Sequence, residues 1–420
     1  MEETIMKILM LSWEYPPISH GGLAAHVKDI SEEMVKKGHS VYIITQGNDN
    51  IPKNEEINGV NIIRTEPVKI SANNFIDDIL HLNYQLLEEA FKQFQNLEDI
   101  DVVHGHDWLV FWASKVLKHA LTKPLVTTVH ATESGRHQGI YNDTQRYIND
   151  VEWYSTFEAW KVIVCSDFMK NEVKGLFQVP EDKIAVIENG VNPDNYHADY
   201  SEDFRGQYVA PDEDMIFYVG RIVREKGIQV LIQAMPEILK DNPSTKLIIA
   251  GKGGFVDELK KQANYLGIAD RIFFTGFISD EKRNKLYQVA NVAVFPSLYE
   301  PFGIVALEAM ATETPVVVSD VGGLGGIVEH NHNGMKVEPN NPYQLARTVK
   351  HVLNKTKKAQ KMAENGFELV KKDYTWDNIA DRTIKLYHHV LEEYEETNWN
   401  KDINETYIDN DRMVGSYKYR

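Results

Sequence analysis

At 420 residues the chain exceeds what one common hydrophobic core fills, so two domains of similar size are expected. Its 43% hydrophobic and 25% charged residues suit a soluble globular protein, and a formal net charge of -17 argues against general binding of nucleic acid or anionic membranes. The single cysteine, Cys165, excludes an internal disulfide and reads as a buried, inert thiol in a reducing cytoplasm.

The N-terminus has an acidic start and an apolar run too short for a signal core or a membrane span, so a cytoplasmic location without stable membrane insertion is expected. Short apolar runs at 7–12, 40–45, 60–64, 101–104, 124–129, 161–165 and 183–187 read as strands. Helical patterns at 23–37, 75–94, 108–119 and 143–159 lie between them. Strand alternating with helix predicts a parallel sheet covered on both faces. Trp153, Phe157 and Trp160 fall on one helical face and are expected as a packed core stripe in preference to a sugar-stacking platform.

The alternation pauses over 192–214, a polar stretch expected as the interdomain connection. It restarts with strands at 215–220, 246–250, 271–275, 291–295, 315–319 and 334–337, interleaved with helices at 227–239, 256–266, 281–290 and 342–353. Residues 355–372 are Lys-rich and read as a solvated helical face; a long helix follows from Trp376 to about residue 399, then a polar tail given no structure. The fold class is α/β, two doubly wound parallel sheets whose strand ends face one cleft, and open sheets of this kind bind ligands there. The expected domains are 1–196, 197–375 and a terminal segment 376–420.

Residues 291–320 carry the densest chemistry: two apolar strands with a helix opened by Pro301 and Gly303. A helix N-terminus presents unpaired N–H groups and a positive dipole end, so Gly303, Ile304 and Val305 form a seat for phosphate. Glu308 is expected to take a ribose and Glu300 the sugar being moved. At the end of the strand at 215–220, Arg221 and Lys226 emerge at the cleft, where two cations stabilise a departing diphosphate more than a bound one.

Gly21 and Gly22 at a strand-to-helix turn allow backbone to approach a ligand. His104 and His106 have strand spacing but no acidic cluster supports a metal there. The acid pairs Asp212 with Asp214 and Asp409 with Asp411 follow no strand into a cleft. With Arg221 and Lys226 supplying positive charge, no metal and no cofactor are expected.

The E-x7-E segment from Glu300 to Glu308, together with G-R-x-x-x-x-K-G from Gly220 to Gly227, resembles retaining, GT-B-fold glycosyltransferases of family four. Gly21-Gly22-Leu23 resembles the loop that closes on the donor in glycogen-synthase-like enzymes, and His104 to Trp108 resembles the H-x-H-D-W of starch-type synthases. The resemblance implies that Asp107 faces acceptor and sugar, and that His130 sits by the anomeric centre. It further implies that Gly220 and Gly251 line the nucleotide side and that the terminal helix crosses back to the first domain.

Ser19 and His20 stand before the glycine pair where many of these enzymes have a Lys two residues upstream, which leaves both ADP-glucose and UDP-glucose as donors. Asn192 stands where Asp is usual. The implied activity is metal-independent, retaining transfer of a hexose, glucose first, from a nucleotide sugar to a glucan or glucoside acceptor. Lipid, cell-wall and sugar-phosphate acceptors remain alternatives, and a sugar-nucleotide epimerase is the alternative in kind.

Overall fold

The computed structural model describes residues 4–19, 21–67, 74–93, 99–196, 199 and 203–399. Runs of Val and Ile too apolar for a half-exposed sheet pair into two sheets with helices on both faces. The first holds β1 (Lys7–Ser12), β2 (Ser40–Thr45), β3 (Asn54–Ile57), β4 (Val60–Arg64), β5 (Val102–His106), β6 (Leu125–Val129), β7 (Lys161–Val164) and β8 (Ile184–Val186). Their spatial order is 3-4-2-1-5-6-7-8, and every pairing is parallel except β3 with β4.

The second sheet holds β9 (Asp214–Val219), β10 (Thr245–Ala250), β11 (Ile272–Gly276), β12 (Val292–Phe295), β13 (Val316–Ser319) and β14 (Met335–Val337). It is parallel throughout, in the order 11-10-9-12-13-14. Strand order reverses between β1 and β5 in the first sheet and between β9 and β12 in the second. These are the switch points at which such sheets take ligands. The segments that leave their carboxyl ends contain Gly21, Asp107, Arg221, Lys226 and Glu300.

The helix Trp376–Glu395 returns to the first sheet: Trp376, Ile379, Ile384 and Tyr387 share a buried cluster with Met6, Ile8 and Val41. Its Tyr387 hydroxyl lies 2.6 Å from Nδ1 of His104, and the Trp160 indole N–H donates to Glu393 over 2.7 Å. Burial of those apolar side chains, roughly 1.5–3 kcal/mol each against exposure, fixes the crossing. Among the described residues no helix is long and apolar enough to cross a membrane.

Four features depart from the sequence reading. An edge strand, β3, pairs antiparallel with β4 through Asn58 and Gly59, both at positive φ (51° and 82°), although three of its four residues are polar and the strand is largely exposed. Arg64, buried, pairs with Glu55 of that strand. The helix expected over 108–119 divides into a tight turn at Trp108–Val110 and a helix at Phe111–Leu121.

The core stripe is corrected: Trp153 is 45% and Phe157 63% exposed, and Trp160 lies beyond the end of the helix Asp143–Glu158, against Tyr394. Helical spacing gave the right face, but that face meets solvent. The helix Thr356–Asp373 does bury Ala359, Met362 and Val370 beneath its lysines. His20 and the polar tail, including Asp409 and Asp411, lie outside the described residues.

Candidate active site

Glycine geometry fixes the second sheet's side of the cleft. After β9, Gly220 takes φ 153°, and after β10, Gly251 takes φ 133°, with a Cβ on Gly251 overlapping the Gly220 carbonyl oxygen. The two loops therefore pack backbone to backbone, and the Ile222 N–H donates to the Lys252 carbonyl over 2.8 Å. Gly227, at φ 69°, leaves no room for a Cβ against the Pro296 carbonyl. That close approach brings the segment before it onto the end of β12, where the Leu298 N–H donates to the Glu225 carbonyl over 2.7 Å.

Lys226 consequently reaches Glu300: its Nζ donates to Oε1 and Oε2, 2.8 Å each, and the Ser297 hydroxyl adds a third donor at 3.0 Å. Glu300 is only 8% exposed, so its charge is held by these partners and not by water. Gly303, at φ 103° in the left-handed region, caps the helix Ile304–Ala311, and a Cβ there would collide with Leu324. The Gly323 N–H donates to the Glu300 carbonyl over 2.9 Å, locking the turn.

Glu308 sits one turn along that helix and is buried. It accepts from the Tyr287 hydroxyl at 3.1 Å and the Tyr196 hydroxyl at 3.3 Å, with Arg283 Nε 3.6 Å away. Burial raises its pKa, against the pull of Arg283 and the tyrosine hydroxyls. A carboxylate offers about four acceptor positions, so two hydroxyls leave capacity for a diol. Arg221 stands apart: its side chain is 54% exposed and lies 3.6 Å from Glu225. One of the two expected cations is little exposed and paired with Glu300, and the other extends into solvent.

On the facing wall Asp107 follows β5 with φ 63° and ψ 173°, a conformation that costs a non-glycine residue about 1–3 kcal/mol. Its N–H donates to the Thr128 carbonyl over 2.9 Å, and its Oδ1 accepts the His130 N–H over 2.8 Å. These bonds hold a strained backbone in which the carboxylate reaches the end of β6. Burial pushes the Asp107 carboxyl up to about 6, opposed by Arg136 and backbone N–H groups. Burial first, then Arg136, holds the His130 imidazole down at about 3, so it is neutral at physiological pH.

Behind them Glu152 accepts the Glu133 N–H with both oxygens, at 2.9 and 3.1 Å, and burial pushes it up to about 8. The two walls meet directly. The Ser166 hydroxyl donates to the Pro301 carbonyl over 2.6 Å, and the Tyr299 hydroxyl donates to Glu172 over 2.9 Å. Cys165 is buried between them, its thiol pushed up by burial and further by the charges of Asp107 and Glu300.

Two family models match the chain: "Glycosyltransferase Family 4" over residues 20–195 and "Glycosyl transferases group 1" over residues 200–369. An uncharacterized glycosyltransferase of Methanocaldococcus jannaschii is 42% identical over 392 residues, 92% of this chain and 99% of its own. The glycogen synthase of Mycobacterium tuberculosis is 34% identical over 396 residues, 91% of this chain and 94% of its own. This chain belongs to the group 1, family 4 glycosyltransferases. Among solved structures, sucrose-phosphate synthase from Thermosynechococcus elongatus superposes with a TM-score of 0.80 at 26% identity, covering 92% of this chain and all of that one, and the fold is GT-B.

In this glycosyltransferase Gly21 and Gly22 have open space where a Cβ would stand, and Gly21 is extended at φ -174°. Neither packing nor the φ of Gly21 explains the pair, so the loop is left as a clear approach to the cleft, with Leu23 anchoring it on the first core. His104 turns away from the cleft toward Tyr387 and Thr128. The sequence gives no site role to Tyr196, Tyr287 or Arg283, which meet Glu308 from 112, 21 and 25 residues away, nor to Ser297, whose bond to Glu300 spans only three residues. His26, in the turn after Gly21-Gly22-Leu23, was also passed over. Its distance from the glycine pair, one helical turn, was the available signal.

Proposed function

We propose that this glycosyltransferase is a retaining, metal-independent enzyme that moves glucose from ADP-glucose or UDP-glucose to a glucan or glucoside acceptor. The observation that carries the reading is Lys226 held on both oxygens of Glu300 beside the Gly303 helix start, opposite Asp107 and His130. The similarity to a glycogen synthase supports the glucan acceptor.

In this reading residues 1–196 bind the acceptor, residues 197–375 bind the nucleotide sugar, and the segment from 376 ties the two together. Glu308 takes the ribose, and Gly220 and Gly251 border the nucleotide. The diphosphate lies against the N–H groups of Ile304 and Val305, with Lys226 and Arg221 neutralising the charge that grows as the glycosidic bond breaks. Glu300 holds sugar hydroxyls and keeps Lys226 in place. Its partners differ from those of a two-carboxylate glycosidase, which needs a second acid across the anomeric carbon.

Neutral His130 accepts or donates a hydrogen bond to the sugar and points its carbonyl at the anomeric centre. Asp107 orients the acceptor hydroxyl, which attacks from the face that the diphosphate leaves and gives its proton to the departing phosphate oxygen. Closure of the Gly21-Gly22-Leu23 loop excludes water.

The test is a donor panel, ADP-glucose and UDP-glucose first, against glycogen, maltooligosaccharides, sugar phosphates and lipid extracts, following nucleoside diphosphate release with and without EDTA. Chelator-resistant, acceptor-dependent release with an α-linked product is expected. A strict metal requirement, a β-linked product, or a new sugar nucleotide formed without acceptor would overturn the reading. The similarity to sucrose-phosphate synthase favours one second reading, the same chemistry on a sugar-phosphate acceptor.

A further inference from the structure

Three imidazoles converge at the first sheet's switch point from three separate segments. His26 lies on the helix Gly22–Lys36, His106 ends β5, and His130 follows β6; one ligand atom of each lies within 4.8 Å of the others. His26 and His106 are buried, and His130 opens toward the cleft. Nδ1 of His106 is 3.3 Å from Nε2 of His130, which is about the edge of a tetrahedron with metal-to-nitrogen bonds near 2.0–2.1 Å. To complete that face the third nitrogen has to close by no more than about 1.5 Å, within the reach of side-chain torsions.

The surroundings are those of a ligand set. Nδ1 of His26 lies 2.8 Å from the side-chain oxygen of Asn189, an acceptor, so the proton is on Nδ1 and Nε2 presents a lone pair. This is the outer bond that orients metal-binding histidines. The backbone of His130 is fixed by donation of its main-chain N–H to Asp107. His106 is wholly buried, its ring stacked on His130 and edge-on to His26, and its Nε2 has no hydrogen-bond partner among the described residues, so no bond at that nitrogen competes with a cation for the ring. His104, two residues before His106, stays outside this set: both its nitrogens are already engaged, by Tyr387 and Thr128.

We infer that His26, His106 and His130 form a binding site for a late first-row divalent cation of the zinc class, with the fourth position open to the cleft. Three neutral nitrogen ligands suit Zn2+, Co2+ or Ni2+ and not Mg2+ or Ca2+, which require oxygen. The ion is not a participant in glycosyl transfer. Resting on the reading that His130 serves the sugar, occupancy blocks that role and makes the site inhibitory.

The test uses the untagged full chain without donor or acceptor, titrated with Co2+. The visible absorption of tetrahedral Co2+ should saturate at one equivalent, be displaced by Zn2+ and be absent with Mg2+. His26→Gln and His106→Gln should each weaken uptake at least about tenfold, and Asn189→Ala roughly 10–100-fold, with folding checked by circular dichroism. Absence of Co2+ and Zn2+ uptake in competition with a micromolar chromophoric chelator, or unchanged uptake in the folded variants, overturns the site. Should the variants not fold, X-ray absorption on the Zn2+-loaded natural chain decides: three imidazole nitrogens support the site and fewer refute it. Uptake is read on the protein alone, so a negative result here leaves the transferase reading standing. Inhibition of transfer by Zn2+, reversed by chelator, is then the separate readout for His130.

Discussion

Replacing Lys226 by Ala separates the two tasks assigned to that residue. The variant leaves Glu300, 8% exposed, with the Ser297 hydroxyl as its remaining side-chain donor at 3.0 Å. Breaking a fully buried pair by deleting one partner costs about 3–5 kcal/mol. The side chains keep 17% and 10% exposure, so solvent relieves part of the orphaned charge and about 2–3 kcal/mol is expected. In the double variant with Glu300→Gln the orphan charge is gone, and at least about 1 kcal/mol of that loss should return as coupling.

Turnover behaves differently, because the diphosphate still departs without its cation. Removing one preorganised group of this kind costs about 2.7–4 kcal/mol of barrier, a fall in kcat of roughly 10²–10³ that the second substitution does not restore. Urea titration gives the first pair of numbers, and single-turnover release of nucleoside diphosphate gives the second. Turnover within threefold of the natural chain, in a folded Lys226→Ala protein, would refute the clamp. Stability unchanged by the single substitution would refute the pairing.

The Asp107 carboxyl, pushed up to about 6, should impose an acid limb on kcat/KM: activity falls below about pH 6 with a slope of one proton, and Asp107→Asn flattens the limb while lowering the plateau. Persistence of the limb in that variant would assign it elsewhere. Glu152 is raised from 4.5 to about 8, so the folded state favours its protonated form; that stability is present below about pH 4.5 and is lost as pH rises to about 8. Glu152→Gln should therefore match the natural chain near pH 4.5 and exceed it by a margin that widens to about 1–3 kcal/mol at pH 9 in thermal or urea unfolding, and equal pH profiles would count against a buried neutral acid. Gly303→Ala places a Cβ at φ 103° and onto Leu324; the expected result is a loss of about 2–4 kcal/mol in stability and, in protein that folds, a raised KM for donor with acceptor KM unmoved. A donor KM left as before would remove Gly303 from the phosphate seat.

How far the sequence carried depends on the range of each interaction. Strands and helices alternate legibly because parallel strands are buried on both faces and show themselves as short unbroken apolar runs, as in the Val-Ala-Val-Phe of β12 and the three valines of β13. The β3 edge was missed by pattern, since its polar residues mimic a loop, but Asn58-Gly59 before an apolar run is the local signature of a tight hairpin turn and was there to be read. Trp153 and Phe157 failed for the opposite reason: periodicity identifies a face but not what covers it.

In the candidate site the glycines were legible through their chemistry, and the structure supplies the reasons: Gly227 and Gly303 are required by φ and by contact, whereas Gly21 and Gly22 are required by neither. The pairing of Lys226 with Glu300 joins residues 74 apart in the chain and could be anticipated only as shared location, not as a hydrogen-bonded pair. Asp107 shows where local reading ends. Nothing in its neighbours in sequence announces φ 63°; the strained backbone persists because Thr128 and His130, from the adjacent strand and its end, overdetermine it. A residue held at a cost by the rest of the fold, at the carboxyl end of a switch-point strand, is where the scaffold gives up stability to aim a carboxylate. That same bond fixes the backbone of His130, so the aim of one group and the position of the other are set by a single contact.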